Sequence, residues 1–298
     1  MAKIVNRRGA PSPFIQLVSN DEYDPGKCDY TATGLAEEPR IAILKRRYRS
    51  QAEIDPFDSP WAYISTAFHK ALSLHPGENQ IAEERLFAEI DGKVISGAMD
   101  LQTTVGFNDD FKKEVIIGDY KITSVYSLSD AQKFENQLNV YAWLVESNHP
   151  DKQVVGLEIH AFLRDWQISR SERDPSYPRG SGVTLDVELW PFEKREAYIR
   201  ERLGLHEAAK EELSECSHEG RWPIGEKWKI VKKGSTRAIA GHANFKSEVA
   251  AQEAFLQLEG GDHEIVHLFD GYRRCKSYCE VAPWCDQWSR YKEENEDG

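Results

Sequence analysis

The chain has 298 residues, with 38 Lys and Arg against 50 Asp and Glu, and a formal net charge of −12. Hydrophobic residues make up 40% of it, and eight Trp and twelve Tyr predict a folded enzyme rather than a disordered segment. The acidic balance counts against a simple nucleic-acid-binding module, although a local groove could still be basic. The sequence has no apolar run of about 18 residues and no secretory signal, so we predict no membrane partner and a cytoplasmic location, in the host if a phage encodes the chain.

The sequence of the N-terminal part of the chain predicts mainly helices. Residues 1–28 carry Gly and Pro breakers and are interpreted as irregular, and helices are expected at 41–48 and 59–74. His69 lies on the second of these helices. The basic run at 45–49 could contact a phosphate backbone or form a solvated helix face, and both interpretations stay open.

A β-hairpin follows, because Asp91-Gly92 is a strong two-residue turn between 85–90 and 93–105. Further strands are expected at 114–121 and 154–163, and helices at 130–145 and 191–212. These elements predict an α/β fold. We predict an N-terminal helical region at 1–75, a core at 76–215, and a Cys-rich region at 216–298 packed on that core.

Two carboxylates and a lysine are expected at one edge of this core. Asp119 and Lys121 are two residues apart on a strand, so their side chains share a face. We expect them beside the hairpin strand that carries Asp100. Carboxylate oxygens on neighbouring strands can bind a hard divalent cation, and a nearby lysine can position water or stabilise negative charge. An Asp-x-Lys alone is a weak signal, because charged residues at strand ends are common.

The order of the surrounding residues strengthens the signal. His69 precedes the hairpin, and Gln137 and Tyr141 follow on one face of the next helix. This order resembles the RecB-like branch of the PD-(D/E)XK nucleases, which includes the RecB and AddB nuclease domains and CRISPR-associated exonucleases. The resemblance covers about residues 60–145. It implies a restriction-endonuclease-like core, in which helices flank a mixed central sheet.

The resemblance also implies roles for these residues. His69, Asp100, Asp119 and the backbone carbonyl of Tyr120 would bind Mg²⁺ or Mn²⁺, and Lys121 would be the catalytic lysine. Gln137 and Tyr141 would form the helical motif beside the site. One further family acid, placed before the hairpin, could be Glu83 or Glu84.

The cysteines suggest a second metal site. Cys275, Cys279 and Cys285 lie within eleven residues, a density that suits zinc or an iron–sulfur cluster. Several RecB-like nucleases bind a [4Fe–4S] cluster with a C-terminal Cys trio and one remote Cys, although the usual first gap is two residues and here it is three. Relatives often draw the fourth ligand from before the nuclease core, which would favour Cys28, but we favour Cys216 because a closer ligand closes a shorter loop.

These patterns together predict a metal-dependent DNA nuclease, with an exonuclease in end processing, recombination or repair as the leading hypothesis. A helicase or recombination protein would be its partner. One alternative is a nucleic-acid-binding protein on a degenerate nuclease fold. Another is a metal-dependent hydrolase of a different substrate, which the acidic net charge mildly favours.

Overall fold

The computed structural model describes residues 3–20, 24–130, 132–258 and 260–296, in two compact units. The first unit comprises Met1–Pro39 and Arg49–Glu212, and the second comprises Arg40–Tyr48 and Leu213–Gly298. None of the described helices is long and apolar enough to cross a membrane. The predicted boundaries at residues 75 and 215 stay a prediction.

The strands and helices are numbered in chain order. The strands β1 to β10 are Lys3–Ile4, Tyr30–Thr31, Glu53–Ile54, Gln80–Ile90, Lys93–Phe107, Lys113–Thr123, Lys152–Leu163, Gly182–Val187, Lys227–Lys232 and His263–Leu268. The helices α1 to α10 are Ser12–Ser19, Ala32–Ala36, Pro39–Tyr48, Pro60–Ser73, Gln132–Asn148, Ile168–Arg173, Phe192–Glu211, Glu248–Leu256, Arg273–Ser277 and Asp286–Glu296.

The hairpin of β4 and β5 is set by its turn. Asp91 and Gly92 have φ of 51° and 72°, the left-handed values that a tight two-residue hairpin turn needs. The turn pairs Ile90 with Lys93, and the same antiparallel register continues to Gln80. The turn therefore sets the face of the hairpin on which each regularly paired side chain lies.

A mixed sheet forms the centre of the first unit. Its order is β2-β5-β6-β7-β8, with β4 also paired to β5. The β6–β7 and β2–β5 pairs are parallel, and the other pairs are antiparallel. Helix α5 packs on this sheet through buried Leu138, Tyr141 and Leu144. The predicted mixed sheet flanked by helices is confirmed.

Strand β5 and helix α5 approach closely at Gly97. A Cβ placed at Gly97 would lie 2.6 Å from Leu144 Cδ1 and 2.9 Å from Tyr141 Cδ1. Only a residue without a side chain fits this contact. The contact fixes the strand that carries Asp100 against the helix that carries Tyr141.

The second unit contains a two-stranded ribbon and a small core. Strands β9 and β10 are antiparallel, and their register extends through a bridge between Pro223 and Tyr272. Helix α3 belongs to this unit. The buried cluster of the unit comprises Ile41, Leu44, Cys216, Val281 and Cys285.

The N-terminal stretch differs from its prediction. Within residues 1–28, Ser12–Ser19 form a helix, and Lys3–Ile4 pair with Glu53–Ile54. The helix begins with a Pro in its first turn, where the missing N–H costs no hydrogen bond. Pro11 and Pro13, interpreted as breakers from the sequence, thus mark the start of a helix.

Candidate active site

Asp100 and Asp119 meet where β5 and β6 run side by side. The β5–β6 ladder ends with Leu101 paired to Gly118, so Asp100 and Asp119 are the next residues along the two strands. The backbone N–H of Tyr120 donates to Asp100 Oδ2 at 2.7 Å. Because the N–H and C=O of one strand residue point to the same side, the Tyr120 carbonyl is directed towards the β5 edge as well.

His69 reaches this edge from α4. Its Nδ1 lies 3.2 Å from Asp100 Oδ1, and its ring packs edge-on against Tyr120 with centroids 5.9 Å apart. Desolvation lowers the pKa of His69, but the hydrogen bond and charge of Asp100 outweigh it, so the net pKa is raised. The other ring nitrogen, Nε2, is buried without a hydrogen-bond partner among the described residues.

Glu83 completes a cluster with His69 and Asp100. One donor atom from each of the three residues lies within 4.8 Å of the others, and no other such set occurs in the described part of the chain. Glu83 has φ of 53° within β4, a conformation that is unfavourable for a residue with a side chain. Partial desolvation, followed by the charge of Asp100, raises the pKa of Glu83.

Glu84, the other candidate acid, makes different contacts. Its Oε1 lies 3.3 Å from His149 Nε2, and its Oε2 lies 3.7 Å from Lys152 Nζ. The two neighbouring glutamates therefore point to different environments. Glu83 faces His69 and Asp100, whereas Glu84 belongs to a separate group of polar side chains.

Asp119 and Lys121 form an ion pair beside this cluster. Lys121 Nζ lies 2.6 Å from Asp119 Oδ2, and Asp119 is almost fully buried. Burial raises the pKa of Asp119 to about 6, against the opposing charge of Lys121. Lys121 retains some exposure, and its Nζ also lies 5.5 Å from the ring centroid of Phe134.

Gln137 and Tyr141 are joined on α5. The Gln137 amide donates to Tyr141 Oη at 2.5 Å. Tyr141 is buried, and desolvation followed by the charge of Asp119 raises its pKa. Its hydroxyl group therefore stays protonated and available as a hydrogen-bond donor.

An open cleft lies over the cluster, with about 1280 Å³ of empty space that includes volume open to solvent. His69, Glu83, Asp100 and Tyr141 are among its lining residues, whereas Asp119, Lys121 and Gln137 are not. A substrate in the cleft would meet the first group directly. Asp119 lies close to this group, and its charge contributes to the raised pKa of His69.

The donor set fits a divalent cation. Carboxylate oxygens suit Mg²⁺ or Mn²⁺, and the buried, unpartnered Nε2 of His69 offers a nitrogen ligand. With Nδ1 directed at Asp100, a neutral imidazole keeps its lone pair on Nε2. The residues present thus supply the ligands that such an ion needs.

Four cysteines lie together in the second unit. Cys216, Cys275, Cys279 and Cys285 line one cavity with apolar neighbours that include Ile41, Leu44 and Val281. No three of their sulfur atoms are within 4.8 Å of one another among the described residues. Desolvation, followed by the charge of Cys279, raises the pKa of Cys275 to about 11.

Arg40 contacts the same group of cysteines. Its guanidinium is almost fully buried, and Nε donates to Cys285 Sγ at 3.4 Å. Its Nη1 donates to the Ser214 carbonyl at 2.9 Å. Arg40 therefore lies within hydrogen-bond distance of one of the four cysteine sulfurs.

Cys28 belongs to the first unit. Its thiol donates to the Pro25 carbonyl at 3.6 Å, and desolvation raises its pKa. It therefore lies in a different compact unit from the Cys trio, whereas Cys216 lies in the same one.

Sequence reasoning left the choice between Glu83 and Glu84 open, although a signal was present. The Asp91-Gly92 turn pairs Ile90 with Lys93, and counting back along the hairpin puts Glu83 opposite Asp100. Residues paired across a hairpin share a face. The turn alone would have selected Glu83.

Comparisons with known proteins give a family. No curated protein matches the chain. Eight solved chains match; one of them, SSO0001, shares 17% identity over 65% of this chain and 83% of its own, with a TM-score of 0.40. The family model of the PD-(D/E)XK nuclease superfamily matches residues 36–286. The mixed sheet flanked by helices agrees with the restriction-endonuclease-like fold of this family. The chain belongs to the PD-(D/E)XK nuclease superfamily, whose members are metal-dependent phosphodiester hydrolases.

Proposed function

We propose that this chain is a DNA exonuclease of the RecB-like branch, acting at DNA ends in processing, recombination or repair. The observation that carries the proposal is the convergence of His69, Glu83 and Asp100 on an open cleft, next to the Asp119–Lys121 pair. A helicase or recombination protein would supply DNA ends or unwound strands.

His69, Glu83, Asp100 and Asp119 would hold Mg²⁺ or Mn²⁺, with the Tyr120 carbonyl as a further ligand. The ion would supply Lewis-acid stabilisation of charge on the phosphate. Asp100 orients the His69 ring through Nδ1 and also accepts from the Tyr120 N–H, so both neighbours are fixed before substrate arrives.

Lys121 would act on the scissile phosphate. Asp119 holds its ammonium group in place, and the retained exposure leaves it accessible from solvent. Its positive charge would stabilise the charge that develops as water attacks phosphorus. Gln137 holds the Tyr141 hydroxyl, which would donate a hydrogen bond within the cleft.

The test is cleavage of linear DNA by purified protein in Mg²⁺ or Mn²⁺. We expect Lys121→Ala and Asp119→Ala to abolish cleavage. Lys113→Ala is a matched control, because Lys113 lies on the same strand and pairs with the exposed Asp151. Cleavage that survives both site substitutions contradicts the assignment. An exonuclease should leave covalently closed circular DNA intact, and cutting of that circle would identify an endonuclease.

We further propose that Cys216, Cys275, Cys279 and Cys285 hold a [4Fe–4S] cluster. Support comes from their shared cavity and from the Arg40 hydrogen bond to Cys285. Zinc is the alternative metal for the same four thiolates.

The metal content of protein purified without oxygen tests the cluster. We expect iron and sulfide, with loss of both in Cys216→Ser and retention in Cys28→Ser. Zinc in the wild-type protein would reject the cluster and support the alternative metal. Loss of iron in Cys28→Ser alone would instead make Cys28 the fourth ligand.

A further inference from the structure

Two aromatic side chains are exposed together on the second unit. Trp222 is 44% exposed and Tyr278 is 66% exposed, and their ring centroids are 5.8 Å apart. Large aromatic side chains are ordinarily among the more buried residues of a soluble protein. A close pair of exposed rings therefore points to a binding surface.

The backbone holds Trp222 in a strained conformation. Its φ is 58°, and the next residue is Pro223, which normally favours an extended backbone in the residue before it. Two backbone hydrogen bonds fix this conformation, from Trp222 N to the Glu219 carbonyl and from Arg273 N to the Trp222 carbonyl, both at 2.9 Å. The ring is thus presented by a rigid frame.

Cationic side chains surround the pair. The Arg274 guanidinium lies 5.1 Å from the Trp222 ring centroid, and its Nη1 donates to the Gly220 carbonyl at 3.1 Å. Arg273 and Lys276 on α9 are exposed. No Asp or Glu occurs between Gly271 and Cys279 in the sequence. Asp270 and Glu280 lie just outside this stretch, so the positive charge is local to α9, where it favours an anionic ligand.

The same ribbon continues into a basic segment. Residues 227–246 contain six Lys and Arg and no Asp or Glu, in a chain with net charge −12. Lys227, Lys232, Arg237 and Lys246 make no ion pair within 4 Å among the described residues. The β9–β10 register extends to a bridge between Pro223 and Tyr272. Pro223 directly follows Trp222, so the ribbon connects the basic segment to the aromatic pair.

We infer that Trp222 and Tyr278 form a stacking platform for the unpaired bases of single-stranded DNA, with the surrounding cations contacting its phosphates. Exposed aromatic faces beside Arg and Lys suit a single strand, because any base can stack and each phosphate carries a charge. A duplex hides its base faces and would gain little from the rings. The inference rests on the proposed function and adds a strand preference to it.

The test measures binding of the full-length protein to a labelled oligo-dT strand and to a duplex of equal length, with Mg²⁺ and Mn²⁺ left out. Stacking on one aromatic residue contributes enough that we expect Trp222→Ala and Tyr278→Ala each to weaken single-strand binding about 5- to 100-fold. Duplex binding should change by less than about 2-fold, and Trp222→Phe should restore most single-strand affinity.

Phe111→Ala is the matched control. Phe111 is 88% exposed and also has positive φ, but it follows two aspartates, Asp109 and Asp110. Its removal should leave single-strand affinity unchanged. If both Trp222→Ala and Tyr278→Ala retain wild-type single-strand affinity, the inference is wrong and the rings belong to a protein contact.

A cleavage assay on the same preparations separates this inference from the proposed function. Trp222→Ala should still cut saturating DNA at the wild-type turnover rate, because Trp222 lies outside the catalytic residues. A wild-type protein that binds single strands through Trp222 but never cuts would reject the nuclease activity alone. A wild-type protein that cuts DNA, with unchanged binding in both variants, would reject the platform alone.

Discussion

Glu83 stands out at the residue scale because its backbone is strained at the candidate site. A left-handed backbone for a non-glycine residue inside a strand costs on the order of 1–3 kcal/mol, and such strain tends to persist where function maintains it. The conformation directs the carboxylate towards His69 and Asp100. Glu83 is therefore the acid of β4 whose removal should affect catalysis most.

Glu83→Gln should lower kcat/KM for DNA cleavage about 100-fold or more, because an amide is a weaker ligand and removes one negative charge from the site. The measurement is steady-state cleavage in Mg²⁺, together with Mn²⁺ affinity by calorimetry. Mn²⁺ affinity should fall in parallel with activity if the carboxylate binds the ion.

Glu84→Gln is the control for that substitution. Glu84 contacts His149 and Lys152 away from the cleft, so its loss should change cleavage by less than about 3-fold. Equal loss of activity in both variants, with both correctly folded, would show that the two acids cannot be distinguished by their contacts.

The lowered pKa of Glu207 predicts how the stability of the first unit depends on pH. It accepts hydrogen bonds from Lys210 and Tyr30, both at 2.6 Å, and these lower its pKa to about 2. A lowered folded-state pKa stabilises the protein above the unfolded pKa of about 4.3, and this contribution is lost as the pH falls towards 2.

The free energy of unfolding of wild type and Glu207→Gln should therefore differ by a constant amount at neutral pH. The difference should shrink between about pH 4.5 and pH 2. Urea unfolding at a series of pH values measures it, with Glu211→Gln on the same helix as the control. A difference that stays constant down to pH 2 would contradict the lowered pKa.

At the element scale, the contact of β5 with α5 fixes the relative position of Asp100 and Tyr141. Gly97→Ala would place a methyl group within 3 Å of Leu144 and Tyr141 side-chain atoms, so strand and helix must separate slightly. We expect a loss of about 1–3 kcal/mol in stability and reduced cleavage. Thermal unfolding and cleavage assays measure the two effects.

Gly182→Ala serves as the comparison at this scale. Gly182 begins β8, and a Cβ there would meet no atom within 4 Å. The Gly182→Ala substitution should therefore leave the free energy of unfolding within about 0.5 kcal/mol of the wild-type value. If Gly97→Ala is equally neutral, the close packing of β5 on α5 is not required.

The central elements were predictable because their signals are local. The Asp91-Gly92 turn, the buried run before Asp119 and the amphipathic pattern of α5 each predict one element, and the structure contains all three. Strand β10 was missed because its pairing partner, β9, lies about thirty residues earlier. Polar and apolar residues alternate only weakly along β10, so its pairing with β9 decides its conformation.

The candidate site was predictable only in part, for a related reason. Asp100, Asp119 and Lys121 follow from strand positions, and the hairpin turn could have selected Glu83. The left-handed backbone of Glu83, however, has no sequence signal of its own. The grouping of Arg40 with Cys216 and Cys285 joins residues more than 170 positions apart. No spacing rule predicts a contact of that range.

At the scale of the whole molecule, charge is divided unevenly between the two units. The second unit contains sixteen Lys and Arg against fifteen Asp and Glu, so the first unit carries a net charge of −13. A polyanion such as DNA would be repelled by the first unit without its metal ions. The near-neutral second unit, with its local basic segment, is therefore the better surface for a first encounter.

Cysteines are part of the buried core of the second unit. One buried cluster comprises Ile41, Leu44, Cys216, Val281 and Cys285, so two of its five members are cysteines. The five cysteines of the chain, all within the described residues, are not joined by disulfides. A metal group bound by such core cysteines contributes folding free energy, so the stability of this unit should depend on the proposed cluster.

Cys216→Ser should accordingly destabilise the second unit selectively. Hydrogen exchange followed by mass spectrometry should show about 10- to 100-fold faster exchange in peptides from 213–296, because losing a bound metal group removes several kcal/mol of local stability. Peptides from β5, β6 and β7 should exchange as in wild type, since the first unit has its own core. Cys28→Ser should change neither set. Unchanged exchange across 213–296 in Cys216→Ser would mean that the packing of Ile41, Leu44 and Val281 stabilises this unit without a metal group.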